Sequence, residues 1–239
     1  MTTPRLTAGT RRAAALLVLA LVGLTSLAGC DPRTILYFLQ PWEPTIAASG
    51  PSLQGKKVVL VTHAVSSAQG EFQSLDRELT REVTGILREK VKKIEITPPE
   101  KLWTWIEGHP SWTDPAELAK AFEVDVVVFL ELEAFQLQSP ADLNVFHGMA
   151  KTHIVVTEMA YPKNSKGRPV TSQPKEPKEI YNDYCDTEFP RTAPIPFDSG
   201  TSRGAFKTQF LKVVANEISW RFVEHAPGDD IEKVKYDGR

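Results

Sequence analysis

The chain is short of the residues that carry covalent chemistry. Its 239 residues include only two cysteines, Cys30 and Cys185, which excludes a disulfide framework of the kind that staples small secreted domains. It contains no Gly-x-Ser-x-Gly elbow, glycine-rich phosphate loop, Cys-x-x-Cys or His-Glu-x-x-His. The signatures of the common hydrolases, nucleotide enzymes, thiol oxidoreductases and zinc proteases are therefore missing, and no catalytic residue and no cofactor is expected. Positive charge is not in excess either: 28 Lys plus Arg face 30 Asp plus Glu. Without a basic face a nucleic-acid partner is not expected. The longest apolar run, Ala13 to Leu24, is too short for a stable membrane span.

That run follows Arg11 and Arg12 and leads to Leu27-Ala28-Gly29-Cys30. A basic start, an apolar middle and small residues at the end make a secretory signal peptide of residues 1–29. The cysteine directly after Ala-Gly resembles the lipobox of bacterial lipoproteins. That resemblance implies cleavage before Cys30, a diacyl lipid on its sulfur and an acyl chain such as palmitate on the freed amine. Two or more acyl chains hold a protein on a bilayer where one does not. The expected address is the cell envelope, on a membrane and facing the periplasm or the exterior. Cleavage removes three basic residues and no acidic ones, turning a formal −2 into −5. Acylation of Cys30 would leave Cys185 without an internal partner, so a buried, inert thiol is expected there.

Residues 30–55, rich in proline and small residues, read as a tether. If flexible it spans roughly 25–30 Å. Within it Ile35-Leu36-Tyr37-Phe38-Leu39-Gln40-Pro41-Trp42 is too apolar for a solvated linker, and either meets the membrane interface or packs on the domain.

Residues 56–226 read as one α/β domain. Val58-Val59-Leu60-Val61 suits a strand covered on both faces. Phe72, Leu75, Leu79, Val83, Ile86 and Val91 make the apolar stripe of a helix. A short strand near Lys93 to Thr97 precedes Pro98-Pro99, which starts a helical turn through Trp105 and Ile106. Asp114-Pro115-Ala116-Glu117 is a second helix start, with an aspartate N-cap and proline in the first turn. The run Asp125 to Gln138 begins as a buried strand and turns alternating, which predicts one exposed face for its second half. Gly148 to Tyr161 and Glu179 to Phe189 predict an antiparallel hairpin with a long polar tip. A last helix is expected from about Arg203 to His225, and the charged tail 227–239 reads as disordered. The fold class is α/β, a mixed sheet of about five strands packed with helices.

Glu117-Leu118-Ala119-Lys120-Ala121-Phe122-Glu123-Val124-Asp125-Val126-Val127-Val128-Phe129 is similar to a helix-to-strand junction of periplasmic proteins related to the amino-terminal domain of TolB. The curli-secretion lipoprotein CsgG and LpoB, a lipoprotein activator of a penicillin-binding protein, share that domain shape. The resemblance spans roughly Lys56 to His225 and implies a partner in envelope assembly, secretion or cell-wall synthesis. Glu123 and Val124 stand where that family commonly has glycine and alanine. The hairpin, with Lys151, Glu158, Asn182, Asp183, Asp186 and Glu188, is too polar for a lipid-facing pore. The start of the mature chain also resembles lipoproteins of planctomycete bacteria, a likeness that implies no activity.

Few side chains stand out as a site. Trp103, Trp105 and Trp112 crowd together and offer a partner surface, a glycan-stacking platform or core packing. His147 and His153 lie six apart, on one face of a shared strand, and with His63 make the only metal-enzyme alternative. Glu131 and Glu133 share a strand face. Residues 162–178 form a basic stretch that suits a solvated hairpin tip or contact with anionic headgroups. The expectation is a non-catalytic interaction or assembly module held on the bilayer through acylated Cys30 with an envelope protein partner. A glycan-binding module and a cell-envelope hydrolase or metal-dependent enzyme are the alternatives. No metal site is assigned.

Overall fold

A computed structural model describes residues 45–66, 72–139 and 142–227. Cys30, the signal peptide, Ile35 to Trp42 and residues 228–239 lie outside them. Chain order gives β1 (Lys57–Ala64), α1 (Leu75–Lys90), β2 (Glu95–Ile96), α2 (Pro99–Gly108), α3 (Pro115–Ala121), β3 (Val126–Gln136), β4 (Val145–Phe146), β5 (Gly148–Ala160), β6 (Glu176–Phe189), β7 (Ile195–Pro196) and α4 (Arg203–Ser219). Five strands form one mixed sheet in the order β2-β1-β3-β5-β6. β1 runs parallel to β2 and β3, whereas β5 is antiparallel to β3 and β6. The sheet of about five strands is as expected; the small β4-β7 ladder is an addition.

The two faces of the sheet are covered unequally. On one face α1 contributes Leu75, Leu79, Val83 and Leu87, and α4 contributes Phe206, Phe210, Val213, Val214 and Ile218. These pack on Val58, Leu60, Val128, Leu130, Leu132, Ile154 and Val156, spanning three strands. Gly148 lets β5 approach α4: a Cβ there would lie 2.7 Å from the Phe210 ring. On the opposite face α2 and α3 bring Leu102, Leu118 and Ala119 onto Val59, Val61, Val127 and Met159. That second layer covers only one end of the sheet. β6, the last strand, has no further strand beyond it among the described residues.

Local chemistry explains the junction after α3. Asp114 caps the helix by accepting a hydrogen bond from the Ala116 N–H at 2.8 Å. At the other end Glu123 takes a left-handed φ of 51°, and the Val124 N–H returns to the Ala119 carbonyl. This is a Schellman-type ending, with Val124 buried beneath it. The left-handed position, which favours glycine, is here filled by glutamate.

Two boundaries differ from the sequence reading. From Thr45 the stretch assigned to the tether packs on the body: Leu53 is 1% exposed within the α1/α4 core. Ile46 bridges His225 through backbone hydrogen bonds in both directions, and the Gly50 N–H donates to the Arg221 carbonyl. That bridge also explains why α4 stops at Ser219 rather than His225. The pairing needs extended backbone at His225, so the chain leaves the helix through a tight turn at Trp220–Val223.

Candidate functional site

The uncovered end of the second face is built by β3, β5 and β6, as the alternation in β3 predicts. One row of residues crosses the strands: His63 opposite Glu131, Glu131 opposite His153, and His153 opposite Tyr184. Tyr184 is 44% exposed and its ring stacks on His153, with centroids 4.5 Å apart and planes 15° from parallel. Beside the row a shallow depression of about 360 Å³ is lined by Gln136, Met149, Lys151, Asp186 and Glu188, among others.

A β-bulge fills the face further. Leu132 pairs with Thr152 and Ala134 with Lys151, leaving Glu133 as an extra residue on β3. Leu132 and Phe135 both enter the α1/α4 core, so Glu133 and Ala134 both turn to the open face. The sequence carries a trace of this, because the apolar phase set by Leu130 and Leu132 slips to Phe135 and Leu137. Lys151 Nζ donates to Glu133 Oε2 at 2.8 Å. That hydrogen bond holds the Glu133 carboxyl below its ordinary value and raises the lysine. Lys151 also sits over the Tyr184 ring, 4.5 Å from its centroid.

His153 is fixed from behind. Asn182 Nδ2 donates to Glu179 Oε1 at 3.2 Å, so its Oδ1 faces His153 Nε2 at 2.8 Å. His153 Nε2 is therefore the donor, and Nδ1 points toward Glu131 Oε2 at 3.7 Å. One ligand atom from each of Glu131, Glu133 and His153 lies within 4.8 Å of the others.

The pairing of His147 with His153 does not form a site. His147 precedes β5 and binds Glu188 at 2.8 Å, and six residues of extended chain span about 20 Å. Two ligands of one ion cannot be that far apart.

The three tryptophans do not form a common surface. Trp105 meets Trp112 edge-on, with centroids 6.3 Å apart and planes at 62°, and Trp112 packs on Phe129. Both are half-buried against the α2/α3 core, and His109 stacks on Trp105. Trp103 faces elsewhere on α2, beneath the Arg77 guanidinium of α1. A flat platform of coplanar rings is not what these residues make.

Cys185 is buried, with burial and the nearby Glu217 carboxylate pushing its thiol up, which disfavours the nucleophilic thiolate. Glu217 is itself buried on α4, where Thr187 donates to it at 2.6 Å and Arg191 at 2.7 Å. At the hairpin tip Lys163, Lys166 and Arg168 are exposed. Lys175 instead binds Asp125 at 2.9 Å, which ties the tip to the start of β3.

No family model matches this chain, and no curated protein does. Several solved structures are similar to it in part. The PelC dodecamer from Paraburkholderia phytofirmans is 12% identical over 75% of this chain and 95% of its own, with a TM-score of 0.37. The hypothetical protein CT253 from Chlamydia trachomatis is 13% identical over 70% of this chain and 96% of its own, with a TM-score of 0.41. Lipoprotein GNA1162 from Neisseria meningitidis is 10% identical over 71% and 99%, with a TM-score of 0.40. Likenesses this distant assign neither a family nor an activity.

Proposed function

We propose that this chain is a lipid-anchored, non-catalytic module of the bacterial cell envelope that presents the open half of its sheet to a protein partner. The observation that carries the reading is the unequal covering of the sheet. Strands of 11, 13 and 14 residues are packed dry on one side, while the other side offers an imidazole, an exposed tyrosine, carboxylates and a lysine. Aromatic and charged groups on a rigid scaffold suit recognition of a macromolecule. The second support is the sequence Leu27-Ala28-Gly29-Cys30, which gives the anchor. No helix among the described residues is long and apolar enough to cross a membrane, so the lipid on Cys30 would supply the attachment. Tethering raises the effective concentration of the face for a partner on the same membrane.

The test is cross-linking in intact cells, followed by detergent extraction, sizing and mass spectrometry. The expected result is one stoichiometric protein partner that is lost in Cys30→Ser and in a Tyr184→Ser, Lys151→Ser double variant. A bare monomer, or a partner retained by both variants, overturns the reading.

A further inference from the structure

We infer that Glu131, Glu133 and His153 form a binding site for a divalent cation of the zinc type on the open face of the sheet. This goes beyond the tethered-module reading and does not rest on it. The argument begins with the imidazole. Asn182, oriented by Glu179, accepts from Nε2, so Nδ1 is the ring nitrogen left to meet a ligand on the Glu131 side. The ring nitrogen and the carboxylate oxygen face each other at 3.7 Å, an arrangement that a cation between them would satisfy.

The spacing lies nearer to that of two ligands of one ion than to that of a closed hydrogen bond. A charge-assisted N–H···O bond closes to about 2.7–2.9 Å, well short of the observed gap. A zinc ion about 2.0–2.1 Å from each ligand in a tetrahedral site sets ligand atoms about 3.4 Å apart. Glu133 brings the third ligand within 4.8 Å, and rotation of its side chain closes the remaining distance. A ligand histidine whose other ring nitrogen donates to a fixed acceptor is the usual supporting arrangement around such ions. The Tyr184 ring stacked on His153 fixes the plane of the imidazole. One imidazole and two carboxylates suit zinc and its first-row neighbours. The remaining coordination position falls to solvent or to a group from a partner. Lys151 is the competitor: its ammonium holds Glu133 and must move aside when the ion enters.

That competition supplies a test that an ordinary ion-pair ladder would fail. Zinc chloride is titrated calorimetrically into the full chain, purified in detergent without a histidine tag. Cobalt chloride absorption reports the geometry. The expected result is one ion per chain, with saturable binding lost in His153→Gln and in Glu131→Gln. Asn182→Ala should weaken binding about 10- to 100-fold. Lys151→Met should tighten it, and His147→Gln should leave it unchanged. In the unsubstituted chain the ¹⁵N resonance of His153 Nδ1, rather than Nε2, should move on binding, which keeps the test decisive should a variant fail to fold. Absence of saturable binding, survival of binding in folded His153→Gln, weaker binding in Lys151→Met, or an unmoved Nδ1 resonance each overturns the site.

Discussion

The face beneath α1 and α4 and the opposite face toward the far ends of β3 and β5 are made by the same strands, with alternate residues divided between them. On the first, Leu130, Leu132 and Ile154 disappear into a dry core. On the second, their neighbours Glu131, Glu133 and His153 meet solvent, each half-buried. The contrast separates two demands that one strand meets together. Residues of even number hold the fold, and the adjacent odd ones are free to carry chemistry until the bulge at Glu133 exchanges the phases.

The largest test of this division is truncation on the dry side. Phe206 is fully buried and stacks with Phe146, Phe189 and Phe210. Phe206→Ala should cost about 3–5 kcal/mol in urea unfolding, whereas Tyr184→Ser on the open side should stay within about 0.5 kcal/mol. Equal losses would break the comparison. A second change adds volume to the dry face: Gly148→Ala drives a methyl into the Phe210 ring and should cost about 1–3 kcal/mol. A cost near zero would show that β5 and α4 are less closely seated than described.

A third substitution should act in the opposite direction. Glu123 holds a left-handed φ of 51° at the end of α3, a conformation that costs a residue with a side chain about 1–2 kcal/mol and glycine almost nothing. Glu123→Gly should raise stability by about 1 kcal/mol, read as a higher urea midpoint at unchanged slope. The smallest effect concerns the hairpin tip. The hydrogen bond and charge of Lys175, with a bond from the Lys57 N–H, hold the Asp125 carboxyl below its ordinary value of 3.8. Because the folded value is the lower one, this contribution is present above pH 3.8 and lost as pH falls through the folded value. A pair about one-third exposed supplies at most about 1 kcal/mol. Asp125→Asn should flatten the stability profile below pH 3.8 by that amount, and added salt should shrink the difference.

Much of this contrast was legible in the sequence. The Val58 to Val61 run, the stripe from Leu75 to Val83 and the Asp114 cap each rest on local periodicity or capping chemistry, which a sequence displays directly. The open half of β3 showed as alternation. What stayed hidden depends on pairing between distant segments. Nothing local in Thr45 to Gly55 announces that Leu53 reaches the core, because one leucine among alanines, serines and glycines has no period. The same holds for the end of α4, set by a bridge to Ile46. The meeting of Glu131, Glu133 and His153 needs both the β3-β5 register and the bulge, and a phase slip at Ala134 was its only written sign. For the tryptophans the sequence left core packing, a partner surface and a glycan platform open, and Trp105 and Trp112 pack against the α2/α3 core. Closeness in sequence does not survive a helix, where Trp103 and Trp105 face nearly opposite ways.

The outermost strand has a consequence for how copies of this chain behave toward one another. β6 carries Glu176, Glu179, Asp183, Asp186 and Glu188 against a single Lys178, and it is interrupted by Pro177. Two such strands brought side by side would set carboxylates against carboxylates and find no amide N–H at the proline. The composition of β6 therefore disfavours a further strand at this edge. Copies of this chain crowded together can stay separate along that edge.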